Sequence, residues 1–314
     1  MNIDKNTTHR RVIMSINFKP LSKNHFPLLL KWLETPHVKI WWSADVDWTL
    51  DLIEYEYTSY TQGYAISNDE KKEIHAFIIY SYHIPIGYIQ AYNAHDFLQD
   101  NILKDLPKSL ASFDILIGEK EYLYKDMGAK ALKMFFEDFF TSKYKYVLAS
   151  LDYKNLTAVK SYKKAGFTII QETSDHENFI ALKNLDADRA IKKFFISYQK
   201  SYMDGNIESC LDHFHYPCFC RVQNKSLFLE REELRSVLGK LMQEWLDRGL
   251  KDINFEILEI SYFRPYMIHV HISWRLLNKQ NKIFTSFDSI YHLATNGSDN
   301  LKIFNLTNLT AAIT

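Results

Sequence analysis

Asn155-Leu156-Thr157-Ala158-Val159-Lys160-Ser161-Tyr162-Lys163-Lys164-Ala165-Gly166-Phe167 decides the fold of the first half of this chain. Asn155 suits a helix N-cap, Thr157–Ala165 reads as a helix, and Gly166 stops it before a strand over Phe167–Ile170. Upstream, Tyr146–Ser150 reads as a strand and Gly128–Phe140 as a strongly amphipathic helix, reached by a polar loop from an apolar strand at Phe113–Ile117. Before these, β-rich runs at Glu73–Tyr82 and Ile84–Tyr92 meet at Tyr82-His83-Ile84-Pro85, which predicts a hairpin. His25–Glu34 places Phe26, Leu29, Leu30 and Leu33 at helical spacing, and Ile16–Lys19 reads as the first strand. The alternation is α/β in character.

The pattern changes after Asn184-Leu185-Asp186. A long helix over Asp188–Met203 leads to shorter helices, and β-rich runs follow at Phe255–Tyr262, Met267–Leu276, Thr285–Leu293 and Leu301–Leu306. Helices followed by an antiparallel sheet predict a second, α+β domain. The organisation read from the sequence is a frayed stretch over 1–14, a first domain over 15–185 and a second over 186–314. Each half is nearly neutral, and the 314 residues carry 38 Lys+Arg against 38 Asp+Glu. No basic field exists to hold nucleic acid or an anionic membrane. The N-terminal residues lack the apolar core of a signal peptide, and no apolar run reaches the roughly 18 residues of a membrane span. A cytoplasmic protein is expected, which the odd set of Cys210, Cys218 and Cys220 also fits.

Leu123-Tyr124-Lys125-Asp126-Met127-Gly128-Ala129-Lys130 lies between a strand and a helix, where backbone N–H groups and the helix dipole can hold a phosphate. With Asn155–Phe167 some thirty residues later, the pair resembles the phosphate loop and the N-x-x-A-x-x-x-Y-x-K-x-G-F pattern of GNAT acyl-coenzyme A N-acyltransferases. Trp32-Leu33, Pro36-His37-Val38 and Trp41-Trp42 resemble the corresponding stretch of aminoglycoside 6′-N-acetyltransferases and siderophore-biosynthesis acyltransferases; Pro85–Gln90 and Phe113–Glu119 continue the likeness. It covers roughly residues 15–183 and implies a mixed central sheet flanked by helices.

The resemblance implies acetyl-CoA as co-substrate, a small-molecule amine as acceptor, and no metal. Cofactor contacts fall on Leu116, Ile117, Lys125, Asp126, Met127, Gly128, Ala129, Asn155, Ala158 and Tyr162. Asp114 is implied to orient or deprotonate the amine and Tyr162 to protonate the departing thiolate; Trp41, Trp42 and Gln90 join Asp114 on the acceptor side. Each has a plainer reading: Asp114, expected at a strand end, as an ordinary strand-end carboxylate, Tyr162 and one of the tryptophans as packing, Asn155 as a cap. Asp45, Asp47, Asp51, Glu54 and Glu56 form a stretch without basic residues that attracts a polyamine or aminosugar, or is simply a solvated face.

Two positions depart from the family pattern. The loop puts Leu123 at its first position and Asp126 where the first glycine stands, and Ser150-Leu151 replaces the Asp-Pro of the aminoglycoside enzymes. Asp tolerates a left-handed backbone, and Lys125, Lys130 and Lys133 offset its charge.

Residues 188–309 resemble the nuclear-transport-factor-2-like (SnoaL-like) superfamily, through Tyr198, Tyr202-Met203-Asp204-Gly205-Asn206, His215-Tyr216-Pro217 and Arg231-Glu232-Glu233-Leu234. That implies a cone-shaped curved sheet wrapped by helices, and makes this domain the expected site of any homodimer. Cys210, His213, His215, Cys218 and Cys220 have ligand-like spacing, but alternation on a strand favours core thiols over zinc. The main reading is an acetyl-CoA-dependent N-acetyltransferase acting on an aminoglycoside-like or polyamine acceptor. The alternatives are a siderophore-precursor N-acyltransferase and a non-catalytic ligand sensor with a degenerate GNAT domain.

Overall fold

In the computed structural model, which describes residues 15–97, 106–140, 143–173, 177–222, 225–263, 267–295 and 300–308, the expected hairpin is the frame of the first unit. The stretch expected to be frayed, 1–14, lies outside the described residues. Tyr82 takes a left-handed φ of 55° and reverses the chain between two long strands. In chain order the elements are β1 (Ile16–Pro20), α1 (Phe26–Leu33), α2 (Pro36–Lys39), α3 (Leu50–Tyr57), β2 (Tyr64–Ser67), β3 (Glu70–Ser81), β4 (Ile84–Asn93), α4 (Ala94–Phe97) and β5 (Leu110–Ile117). Then come α5 (Met127–Phe135), β6 (Tyr146–Asp152), α6 (Leu156–Lys164), β7 (Thr168–Glu172) and β8 (Asn178–Asn184).

These strands form an eight-stranded mixed sheet in the order β1-β3-β4-β5-β6-β8-β7, with β2 joined to β3. Neighbours from β1 to β5 are antiparallel, whereas β5 and β6 are parallel. That parallel pairing stops early. It joins Leu110–Ser112 to Tyr146–Leu148 and goes no further, although both strands continue, so the sheet splays beyond Ser112. On the other edge β5 stays paired with β4 as far as Gly87 opposite Ile117. Gly87 is required there: a Cβ would stand 2.2 Å from the Leu116 carbonyl oxygen. Gly118, just past β5, is required by packing, since its Cβ would lie 2.1 Å from the fully buried Trp32 ring.

Apolar spacing on α1 buries Phe26, Leu29, Trp32 and Leu33 against Ile78 and Tyr88 of the sheet. Helix α5 is shorter than its periodicity predicts: it ends at Phe135 and continues as a π-helical turn over Phe136–Phe140. The run of phenylalanines there packs ring on ring, with Phe136 and Phe140 stacked at 5.4 Å and Phe135 against Phe18 and Phe77.

The chain divides into two compact units after Leu182, with Lys163–Thr168 counted in the second. The second unit contains α7 (Leu185–Met203), α8 (Ile207–Leu211), β9 (Phe214–Val222), β10 (Lys225–Leu229), α9 (Arg231–Asp247), β11 (Leu250–Phe263), β12 (Met267–Asn278), β13 (Ile283–Thr295) and β14 (Leu301–Asn308). Asn184 and Asn206 cap α7 and α8 by accepting the amides of Ala187 and Ser209. The six strands run β10-β9-β14-β13-β12-β11. Register shifts after Ile257, Leu276 and His292 introduce bulges, which bend a sheet. An all-antiparallel sheet was expected; β14 instead runs parallel to β9, because the last strand inserts between β9 and β13. The three cysteines are buried free thiols in this core, as their alternation suggested. Among the described residues no group of three His, Cys, Asp or Glu side chains could hold a metal, and no helix is long and apolar enough to cross a membrane.

Candidate active site

Asp114 is fixed by the β4–β5 register. It pairs with Gln90, and alternation on β4 puts Tyr88, Gln90 and Tyr92 on one face beside it. Gln90 Nε2 donates to Asp114 Oδ2 at 2.8 Å, and the Tyr92 hydroxyl donates to the same oxygen at 3.1 Å. Tyr88 donates to Gln90 Oε1 at 2.7 Å, which sets the amide with its NH2 towards the carboxylate. Asp114 sits three residues inside the strand rather than at its end. Burial raises its pKa above the ordinary value, and the two hydrogen bonds only partly oppose that shift.

A wall of aromatic side chains surrounds this carboxylate. Tyr57 at the end of α3 packs edge-on to Tyr88 at 5.9 Å and to Tyr60 at 5.1 Å, and Trp42 packs edge-on to Tyr88 at 6.0 Å. Trp48 leans on the Tyr57 ring, their centroids 6.0 Å apart. Trp48 Nε1 is buried without a hydrogen-bond partner. The phenols of Tyr57, Tyr60, Tyr88, Tyr92 and Tyr162 are all driven to higher pKa, first by burial and then in part by the Asp114 charge. They stay neutral at physiological pH, so the group is a polar, aromatic setting for one acid.

The sequence pairs Trp41 with Trp42, and the structure separates their roles. Trp42 packs on the core, while Trp41 is 42 % exposed. His37 is anchored to the end of β5, where its Nε2–H donates to the Ile117 carbonyl at 3.0 Å and leaves Nδ1 buried without a partner. The acidic stretch lies mostly in solvent: Asp45, Asp51, Glu54 and Glu56 are exposed, and Asp47 pairs with Lys39 at 3.0 Å.

Tyr162 projects from α6 and packs against Phe113 at 5.4 Å. Asn155 accepts the Ala158 amide at 3.0 Å, so its capping role is realised. In the loop before α5, Tyr124 and Asp126 take left-handed φ values of 60° and 58°. Asp126 thus adopts the backbone that glycine would take, and it holds the helix N-cap position without a side-chain cap bond. The first-turn amides of α5, from Met127 onward, have no acceptor within the helix and present the positive end of its dipole. A Cβ at Gly128 would come into ordinary van der Waals contact with Ser161 of α6, whose Oγ would lie 3.9 Å away, so the turn passes close to α6 there. Lys125 lies over the Tyr122 ring at 5.9 Å. The splayed edges of β5 and β6, carrying Leu116 and Ile117, offer a slot between strand backbones. An acyl-CoA needs these two features, a cradle of amides for its phosphates and an unpaired strand edge for its amide-bearing arm, and the residues present fit both.

Sequence reasoning had marked Asp114, Gln90 and Trp42 but not Tyr57, Tyr60, Tyr88, Tyr92 or Trp48. The alternation Tyr88-x-Gln90-x-Tyr92 carries part of that signal; Tyr57 at the end of α3 and Tyr60 beyond it give none.

Comparison with known proteins agrees with this architecture. The GNAT acetyltransferase domain family matches residues 22–174, and an NTF2-like protein family matches 187–311. Among solved structures, an aminoglycoside acetyltransferase, AAC(6′)-Ib, solved with ribostamycin and coenzyme A, is 21 % identical with a TM-score of 0.48, covering 56 % of this chain and 96 % of that one. The aminoglycoside N(6′)-acetyltransferase of Legionella pneumophila is 23 % identical with a TM-score of 0.43, covering 55 % of this chain and 94 % of that one. Residues 22–174 are therefore a GNAT acetyltransferase domain, and residues 187–311 are an NTF2-like domain.

Proposed function

We propose that the first unit is an acetyl-CoA-dependent N-acetyltransferase whose acceptor is a small molecule with more than one amine, of the aminoglycoside or polyamine kind. The observation that carries this reading is Asp114: one carboxylate held by Gln90 and Tyr92 inside a wall of neutral aromatic side chains. Negative charge together with ring faces attracts an ammonium group, and a buried carboxylate of raised pKa is a better base than one in water. Acetyl-CoA supplies the acetyl group as a thioester. Asp114 takes the proton of the bound amine, directly or through a water, and so frees the nitrogen lone pair for attack. Tyr162, kept protonated by burial and by the Asp114 charge, gives its proton to the sulfur as the C–S bond breaks, and the second proton that the nitrogen sheds in becoming an amide passes through water to restore the phenol. The first-turn amides of α5 and Lys125 hold the phosphates.

The test is a coupled thiol-release assay with acetyl-CoA against spermidine, kanamycin and a simple monoamine. Turnover of a polycation that collapses in Asp114→Asn supports the reading. Equal rates for parent and variant across pH 6 to 9 would remove Asp114 from the chemistry. One observation favours a second reading, a ligand sensor: the Asp126 carboxylate stands at the turn where phosphates would bind. Calorimetry showing no acetyl-CoA binding at millimolar concentration would favour it over the enzyme.

A further inference from the structure

Asp114 is a carboxylate without a cation. Among the described residues no ammonium, guanidinium or second carboxylate acts on it, and burial works against its charge. The titratable groups that face it are all phenols: Tyr57 at the end of α3, Tyr60 beyond it, Tyr88 and Tyr92 on β4, and Tyr162 on α6. These stay neutral, so the charge rests on hydrogen-bond donors alone. Two donors reach it, Gln90 Nε2 and the Tyr92 hydroxyl, both on Oδ2. Oδ1 accepts nothing from the described residues and is left for the amine.

A side-chain amide can face an acid in two ways. Its NH2 supports the carboxylate, whereas its oxygen supports the protonated acid and repels the ionised one. Tyr88 decides between them. Its ring is fully buried and held edge-on by Trp42 at 6.0 Å and Tyr57 at 5.9 Å, and its hydroxyl has one acceptor among the described residues, Gln90 Oε1 at 2.7 Å. Were the amide turned over, Nε2 would face the phenol, whose proton would then be buried with no acceptor, a costly arrangement. The hydrogen bonds therefore run in one direction, from Tyr88 to Gln90 to Asp114. Alternation on β4 and the pairing of Gln90 with Asp114 build the whole relay from one pair of strands.

We propose that Tyr88 is a positioning residue of this site: by donating to Gln90 Oε1 it keeps the amide N–H on Asp114, and so keeps the carboxylate ready to take the proton of the acceptor amine. Tyr88 acts through Gln90 and not on the substrate. The role of Asp114 as base rests on the reading of the first unit as an N-acetyltransferase; the hold of Tyr88 on the carboxylate does not.

Two measurements on the full chain test this. The first follows the Asp114 carboxyl by carbon-13 NMR as pH is varied, its signal assigned by its loss in Asp114→Asn. Tyr88→Phe keeps the ring and removes the hydroxyl; it should move the midpoint upward by about one pH unit, because the amide can then turn over to meet the protonated acid. Gln90→Met removes the amide and leaves Tyr88 in place. It should move the midpoint in the same direction, and it serves equally where Tyr88→Phe does not fold. Tyr57→Phe removes a neighbouring phenol that is not bonded to Gln90, and should leave the midpoint nearly where it was. The second measurement is kcat/KM for spermidine against pH. A base must be ionised to act, so the rate falls below its midpoint. On that limb Tyr88→Phe should be about tenfold slower than the parent, and above it within about twofold. A midpoint unmoved by Tyr88→Phe or by Gln90→Met, or moved as far by Tyr57→Phe, would overturn the proposal and return Tyr88 to packing. A midpoint that moves as expected in a protein that acetylates no amine would support the positioning and remove the activity, so the two readings fail separately.

Discussion

The two units solve opposite problems with the same kind of residue. In the first, tyrosines and tryptophans gather round a carboxylate: Tyr92 hydrogen-bonds Asp114, Tyr57 and Tyr60 feel its charge, and burial keeps every phenol neutral. In the second, Tyr198 and Tyr202 bond to each other, and the aromatic groups wall a space whose one lining carboxylate among the described residues, Glu244, is exposed. Aromatic side chains therefore do not announce a function by their presence. What differs is where the hydroxyls are directed. Aimed at a partly buried charge they tune an acid, and aimed at one another they leave a mostly apolar cavity.

The contrast can be tested from its strongest side first. Asp114→Asn keeps the shape and can still accept from Gln90 and Tyr92, so the loss is one of charge and basicity. We expect kcat/KM for a polyamine at pH 7 to fall by about 10³-fold, near 4 kcal/mol of transition-state stabilisation. Tyr162→Phe preserves the ring against Phe113 and removes the proton. A fall in kcat of about 10²-fold with acetyl-CoA affinity unchanged would mark proton donation, whereas unchanged kcat would reassign the residue to packing. Gly128→Asp places a carboxylate at the start of α5, with its Cβ in ordinary van der Waals contact with Ser161 Oγ at 3.9 Å. Calorimetry should show acetyl-CoA affinity reduced by at least about tenfold, while the melting temperature stays near that of the parent, because a Cβ at that distance displaces nothing and an acid in the first turn suits the helix dipole.

The smallest effect is on stability. Burial raises the Asp114 pKa above its ordinary 3.8, so the folded protein holds this proton more tightly than the unfolded chain does. The favourable contribution is complete below the unfolded pKa and is lost as pH rises through the folded one. The Asn variant resembles the protonated acid. It should be more stable than the parent by about 1 kcal/mol at pH 7, and the gain should vanish at about pH 3, below the ordinary 3.8. Chemical denaturation at both pH values measures it. A variant less stable than the parent at pH 7 would mean that the Gln90 and Tyr92 bonds outweigh desolvation.

The sequence made some of this visible and not the rest, for physical reasons. The hairpin was legible because Tyr82-His83 interrupts two long alternating runs, and alternation is a local property. The capping role of Asn155 was legible for the same reason. The splay between β5 and β6 was not, since Phe113–Ile117 reads as a strand whether or not its far edge has a partner. The wall around Asp114 was hidden because Tyr57 at the end of α3 and Tyr60 just beyond it follow a stretch in which Asp51, Glu54 and Glu56 face solvent. The parallel partner of β14 was equally hidden. Nothing in Leu301–Asn308 states which strand it will join.

That last pairing has a consequence for how the second unit comes into being. Strands β9 and β10 connect to the remainder of their sheet solely through β14, the final strand of the order in sequence. A growing chain emerging from the ribosome can form α7, α8 and the β9–β10 hairpin early, and later the β11–β12–β13 meander, but these remain two open-edged fragments until Asn308 has been made. The unit must then close in one late, long-range event, which topology makes slow, with strand edges exposed to other chains in the interval. Much of the first unit's sheet forms from neighbours close in sequence, such as β3 with β4 and β4 with β5, and has no comparable wait. Synthesis therefore delivers a nearly complete GNAT unit well before its companion can fold.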